Sequence, residues 1–172
     1  MRLVSGFTLV EMMVVVAIMA ILAAVALPSF RPLITNNRIV ANTNDLVADL
    51  ALARSEAAKR GGTTVVSVCA SSDGASCSGS TDWSAGRLVF VDGGAQGAVD
   101  GTDSNNVLRI SRAVNNLVLT STVASYSYLS DGSVTSNLPG TVTVCSSGVI
   151  GRVVSISNIG RTKVDATAAA CS

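Results

Sequence analysis

The sequence predicts an α+β fold, a long N-terminal helix packed on an antiparallel β-sheet or sandwich domain. Three observations predict it. An apolar run fills residues 7–27, and a stripe at helical period continues to the edge of Gly61-Gly62. Beyond that pair the chain turns to short β-type runs divided by Gly, Ser, Asp and Asn. Of 172 residues, 48% are hydrophobic and only 13% charged, where an ordinary soluble domain carries about 25% charge. That balance excludes a disordered chain. A net charge of +1 excludes a strong global field for nucleic acid or anionic lipid.

Residues 7–27 read FTLVEMMVVVAIMAILAAVAL, 19 of 21 apolar. As a helix the run is about 31 Å long, near the thickness of a bilayer hydrocarbon core. A cleaved secretory signal has an apolar region of about 7–15 residues and a small-residue cleavage site after it. Here the run is longer, and Pro28-Ser29-Phe30-Arg31-Pro32 follows. A membrane-spanning helix is therefore expected. Glu11 is the single charge inside it. An isolated carboxylate in hydrocarbon costs about 2.5–3.5 kcal/mol, so it calls for a partner. Arg2, nine residues away, is too far for a helical pair. The partner is expected on another chain, or as an amine made by cleavage. A cut after Gly6 would put a new α-amine on Phe7, four residues before Glu11.

Past Pro32 the helical pattern resumes. Ile39, Leu46, Leu50, Ala53 and Ala57 lie on one stripe, and Glu56 with Arg60 is a favourable i,i+4 pair. Gly61-Gly62 is the stop signal. Helix is thus expected over 7–60, kinked near Pro28 and Pro32. Strands are expected at 63–69, 86–92, 107–113, 116–123, 126–129, 141–145, 151–156 and 162–165. Asp131-Gly132 and Pro139-Gly140 serve as turns. The chain then divides into a leader (1–6), an apolar helix (7–27), an amphipathic helix (28–60) and a globular β domain (61–172).

All four cysteines, Cys69, Cys77, Cys145 and Cys171, lie in that last part. An even number favours disulfides in an oxidising compartment. Of three possible connectivities, Cys69–Cys77 and Cys145–Cys171 are the most local. The charges flanking the apolar run are nearly balanced, so the cysteines place the β domain in the periplasm or outside the cell. With no His and no C-x-x-C, a zinc site is not expected.

Lack of His also removes the conventional base of a serine triad. Asp73, Asp82, Asp92, Asp100 and Asp103 read as turn and cap residues. Residues 92–103 gather oxygen ligands but lack the spacing and terminal Glu of an EF-hand calcium loop. No phosphate-binding loop occurs. The chain is read as a non-enzyme with no cofactor and no metal. Arg152, Arg161 and Lys163 make its last third locally basic.

Gly6-Phe7-Thr8-Leu9-Val10-Glu11, ahead of an apolar helix with Pro28 near its end, resembles the prepilin processing motif of type IV pilins and type II secretion pseudopilins. The resemblance implies cleavage after Gly6 by a prepilin peptidase, N-methylation of Phe7, and filament assembly through Glu11. Leu52-Ala53-Arg54-Ser55-Glu56-Ala57, Val68-Cys69, Trp83 with Gly86, Phe90 with Asp92, and Gly160-Arg161 resemble the GspH/FimT (FimU-like) minor pilin domain. Together these motifs cover nearly the whole chain. They imply a structural subunit that sits in the bacterial inner membrane with its C-terminal domain in the periplasm. It then joins other pilin or pseudopilin subunits to prime or cap a filament. The alternatives implied are a pseudopilin acting in type II secretion, and a minor pilin that binds DNA during uptake. For the last, Gly160-Arg161-Thr162-Lys163 is similar to a Gly-Arg-x-Arg stretch of DNA-binding relatives, with Lys163 in place of the second Arg. Weak, sequence-independent binding through Arg152, Arg161 and Lys163 would follow.

Overall fold

A computed structural model describes residues 7–101, 103, 106–135, 139–168 and 171. The chain divides into two compact units, Met1–Thr35 and Asn36–Ser172. One helix, α1 (Leu9–Arg60), contributes to both and runs through Pro28 and Pro32 without a break in its assignment. It ends as the glycine pair predicts. Gly61 takes φ 67°, and its N–H donates to Ala57 O at 3.1 Å, an αL cap that a β-carbon would strain.

In the first unit α1 displays its apolar side chains rather than covering them; Leu9, Val10, Met12, Met13 and Ile18 are all more than half exposed. In the second unit the same helix is amphipathic. The predicted stripe, Ile39, Leu46, Leu50, Ala53 and Ala57, is fully buried.

Eight strands follow: β1 (Val65–Ala70), β2 (Gly86–Asp92), β3 (Val107–Arg112), β4 (Val118–Ser121), β5 (Ser125–Tyr128), β6 (Gly140–Ser146), β7 (Val149–Ile156) and β8 (Thr162–Ala168). They form two four-stranded sheets, ordered β3-β2-β1-β5 and β4-β6-β7-β8. Every pairing is antiparallel. The helix stripe shares one core with Val66, Val68 and Tyr126 of the first sheet and Leu119, Val142 and Val154 of the second. Trp83 lies between, edge-on to Tyr126 with ring centroids 5.7 Å apart.

All six residues of β1 are buried, which a half-solvated strand would not show. Its outer face has its own small core of Cys69, Leu88 and Phe90, on which Cys77, Val99 and Val107 pack. The loops after β1 and β2 supply that cover. Asp92 Oδ2 accepts from Ser67 Oγ at 2.6 Å and from the Gly97 N–H at 2.7 Å, fastening the second loop down.

Helix and first sheet are also joined by a buried ion network. Asp49 is fully buried, as is nearly all of Arg87. Asp49 Oδ2 lies 2.9 Å from Arg87 Nη2 and accepts from Ser111 Oγ at 2.9 Å. Its other oxygen is 2.9 Å from Arg109 Nε.

Candidate functional site

Gly6, the residue before the expected cut, lies outside the described residues, whereas Phe7 and Glu11 lie within them. Phe7 is 77% exposed. Thr8 caps α1: its Oγ1 accepts the Glu11 N–H at 3.2 Å, and its carbonyl accepts the Met12 N–H at 3.2 Å. Sequence reasoning missed this role, although Thr8-x-x-Glu11 has the spacing of a capping box. The cap places Glu11 in the first helical turn, where the helix dipole favours a negative charge. Among the described residues no cation pairs with Glu11. Its expected partner, the Phe7 amine of a neighbouring subunit, would come from outside the chain. Among the described residues no helix is long and apolar enough to cross a membrane. The described side chains of the apolar run end at Ala24, short of Leu27.

Both local disulfides are present, Cys69–Cys77 and Cys145–Cys171, each with Cα atoms 5.6 Å apart. The first closes the loop over the outer face of β1, and the second ties Cys171 to β6. Each contributes about 2–4 kcal/mol. Unfolded protein titrated with a thiol reagent is expected to show no reactive thiol before reduction. After reduction it should show four, with a lower unfolding midpoint. An unchanged midpoint would count against a stabilising role.

The loop aspartates organise turns. Asp73 accepts from the Ser76 hydroxyl and the Ala75 and Ser76 N–H groups, which hold its carboxyl well below the usual range. The Ser133 hydroxyl and N–H lower that of Asp131, and the Ser84 hydroxyl and N–H that of Asp82. Among the described residues no group of three or more candidate ligands is placed to hold a metal.

The three C-terminal cations part company. Ser155 pairs with Lys163 and Val154 with Val164, so Lys163 faces away from the core. Arg152 pairs with the buried Val144, in phase with Val154 and Ile156. It therefore stands on the opposite face of the sheet from Lys163. In this register Arg152 stands apart from Arg161 and Lys163. Lys163 Nζ is also 2.8 Å from Asp165 Oδ1, which offsets its charge. Arg161 and Lys163 do share a cleft of about 520 Å³, with Pro139, Ile156 and Ile159 as its apolar part.

That cleft borders the turn joining β7 to β8. Gly160 N donates to Ser157 O at 2.8 Å, and Ser157 N to Arg161 O at 3.0 Å. This is a hairpin whose fourth turn position, Gly160, needs positive φ and has 69°. The turn is clamped from two sides: Arg54 Nη2 of α1 donates to Ile159 O at 3.1 Å, and the Val134 N–H to Asn158 O at 2.9 Å. A β-carbon on Gly160 would strike the Gly132 carbonyl, and one on Gly132 would lie 2.9 Å from Arg54 Nε. Beneath, Tyr128 is fully buried, and burial pushes its phenol far above its ordinary value. Gly160→Ala should cost about 1–3 kcal/mol in denaturant unfolding, while Gly148→Ala, with nothing near its β-position, isolates the backbone component. Equal losses would show that the Gly132 contact carries no weight.

Residues 42–160 match the family model for the type II transport protein GspH, and residues 1–27 match the prokaryotic N-terminal methylation motif. The fold is similar to the type IV minor pilin FimU of Pseudomonas aeruginosa in two crystal forms. One is 25% identical, covering 71% of this chain and 88% of that one at a TM-score of 0.53. The other is 24% identical, covering 78% and 92% at a TM-score of 0.58. No curated protein matches the chain.

Proposed function

The chain belongs to the GspH family and is a structural subunit of a type IV filament, of the minor pilin and pseudopilin kind, and from that premise we propose how it works. It is cut after Gly6 and methylated on Phe7. Before assembly it spans the inner membrane once through residues 7–27, with residues 61–172 in the periplasm. On assembly the same helix moves into the filament core, where Glu11 meets the Phe7 amine of a neighbour. The β domain makes the lateral contacts that prime or cap the filament, and no catalytic step is assigned to it.

One observation carries the reading. A methylation motif covers the start of a helix that leaves its large apolar side chains uncovered there, within a chain whose second unit has a core of its own. Such an apolar surface is stable only in lipid or against other subunits. Mass spectrometry of the chain from sheared filaments tests it. The expected mass is that of a chain beginning at methylated Phe7. An intact Met1 together with absence from every filament fraction would overturn the reading.

The family's description favours a second setting, a pseudopilus of type II secretion. Deleting the gene separates the two. Loss of surface pili with normal exoprotein release indicates the pilus, and periplasmic retention of exoproteins with normal piliation indicates the pseudopilus.

A further inference from the structure

In the first unit α1 starts at a defined residue. It begins at Leu9, whereas Phe7 and Thr8 are not helical. Thr8 fixes that start with two bonds at 3.2 Å, its carbonyl accepting the Met12 N–H and its hydroxyl oxygen the Glu11 N–H. The sequence offers rivals for this place. No proline stands between Met1 and Thr8 to stop a helix, and Ser5 and Gly6 are both residue types that cap one. A helix started at either would draw the Gly6 carbonyl into a bond with the Val10 N–H.

Cutting between Gly6 and Phe7 needs that carbonyl open. Hydrolysis adds the hydroxyl of water to the Gly6 carbonyl carbon, breaks the C–N bond and leaves the remaining hydrogen on the Phe7 nitrogen. The carbonyl oxygen gains negative charge on the way and must meet donors supplied by the enzyme. An oxygen already bonded within a helical turn is taken, and the turn must first unwind.

We propose that Thr8 is a positioning residue for this cut. Its cap stops α1 two residues short of the Gly6–Phe7 bond and so presents that bond as open backbone to the prepilin peptidase. The inference rests on the processing reading above, which the methylation motif over residues 1–27 supports. Phe7 and Thr8 are both exposed, so their own chain does not cover the approach.

The test takes the full-length precursor in nonionic detergent micelles, adds purified prepilin peptidase and follows conversion by mass spectrometry. Thr8→Val keeps the shape of the side chain and removes its acceptor, whereas Thr8→Asn changes the shape and keeps a capping oxygen. Cleavage of Thr8→Val is expected to slow about fivefold, the ratio a lost cap gives, with Thr8→Asn cut at the wild-type rate. Backbone carbon shifts of Gly6 and Phe7 should move to helical values in Thr8→Val alone. Cleavage of Thr8→Val at the wild-type rate overturns the inference. Equal slowing of both variants also overturns it, because the peptidase then reads the shape of Thr8 and not its cap. So does slow cleavage of Thr8→Val with unmoved carbon shifts, since the helix start has not changed. Thr8 is exposed, so neither variant threatens the core. The two readings fail separately. A wild-type precursor left uncut after Gly6 overturns the processing reading and this inference with it. A wild-type chain cut there, with both variants cut as fast, loses this inference alone.

Discussion

Glu11→Leu should leave the protein in the membrane fraction and remove it from purified filaments. Leucine suits hydrocarbon better than a carboxylate does, so insertion does not suffer. In the proposed filament, however, the Phe7 amine of the neighbouring subunit then faces an apolar core without its counter-ion. If that costs about 2.5–3.5 kcal/mol, as for other lone charges in hydrocarbon, incorporation falls on the order of 100-fold. Quantitative immunoblotting of sheared filaments against total membranes reads this directly. Glu11→Gln, which keeps the shape and one acceptor oxygen, should fall between. Wild-type incorporation of the leucine variant would refute the pairing.

The largest effect on stability should come from Asp49→Ala. Arg87 is only 2% exposed. Without Asp49 its guanidinium is a buried charge with no carboxylate beside it. Removing one partner of a buried pair costs about 3–5 kcal/mol, a large share of a domain's typical stability. Arg109 is 38% exposed and can turn to water, so it adds little to the loss. Urea unfolding followed by tryptophan fluorescence suits the measurement, since the single Trp83 is fully buried. The double variant Asp49→Leu with Arg87→Met removes both charges at similar volume and should recover most of the loss. A single-variant loss below about 1 kcal/mol would mean the network is better hydrated than its burial implies.

The two kinds of residue differ in how plainly the chain declares them. The stripe from Ile39 to Ala57 and the β-branched runs were legible because periodicity and turn chemistry are local signals, and β2 (Gly86–Asp92) coincides with its expected bounds. The expected strand at 116–123 shortens to β4 (Val118–Ser121), where Asn116 takes φ 61°. Sheet membership was not legible. β4 and β5 are adjacent in sequence yet belong to different sheets, a choice made by long-range packing. Asp49 and Arg87 gave no signal in the sequence, because their pairing across 38 residues leaves no local trace. Phe7 and Glu11 were visible at once, since a charge in an apolar run stands out. The face that Arg152 takes was not legible, because it depends on which alternate residues of β7 turn to the core, a choice made by packing.

The clamp at Gly160 has a consequence in time. Arg54 reaches Ile159 across 105 residues of sequence, and among the described residues β8 is the last strand in chain order. In the order of synthesis the helix end appears 105 residues before its carbonyl partner. The second sheet therefore lacks its β8 edge, and Tyr128 the turn packed on it, until residues 157–168 have been made. A product ending before residue 160 would leave Ile156 without its β8 partner and the Tyr128 ring without the Gly160 turn against it, open to proteolysis.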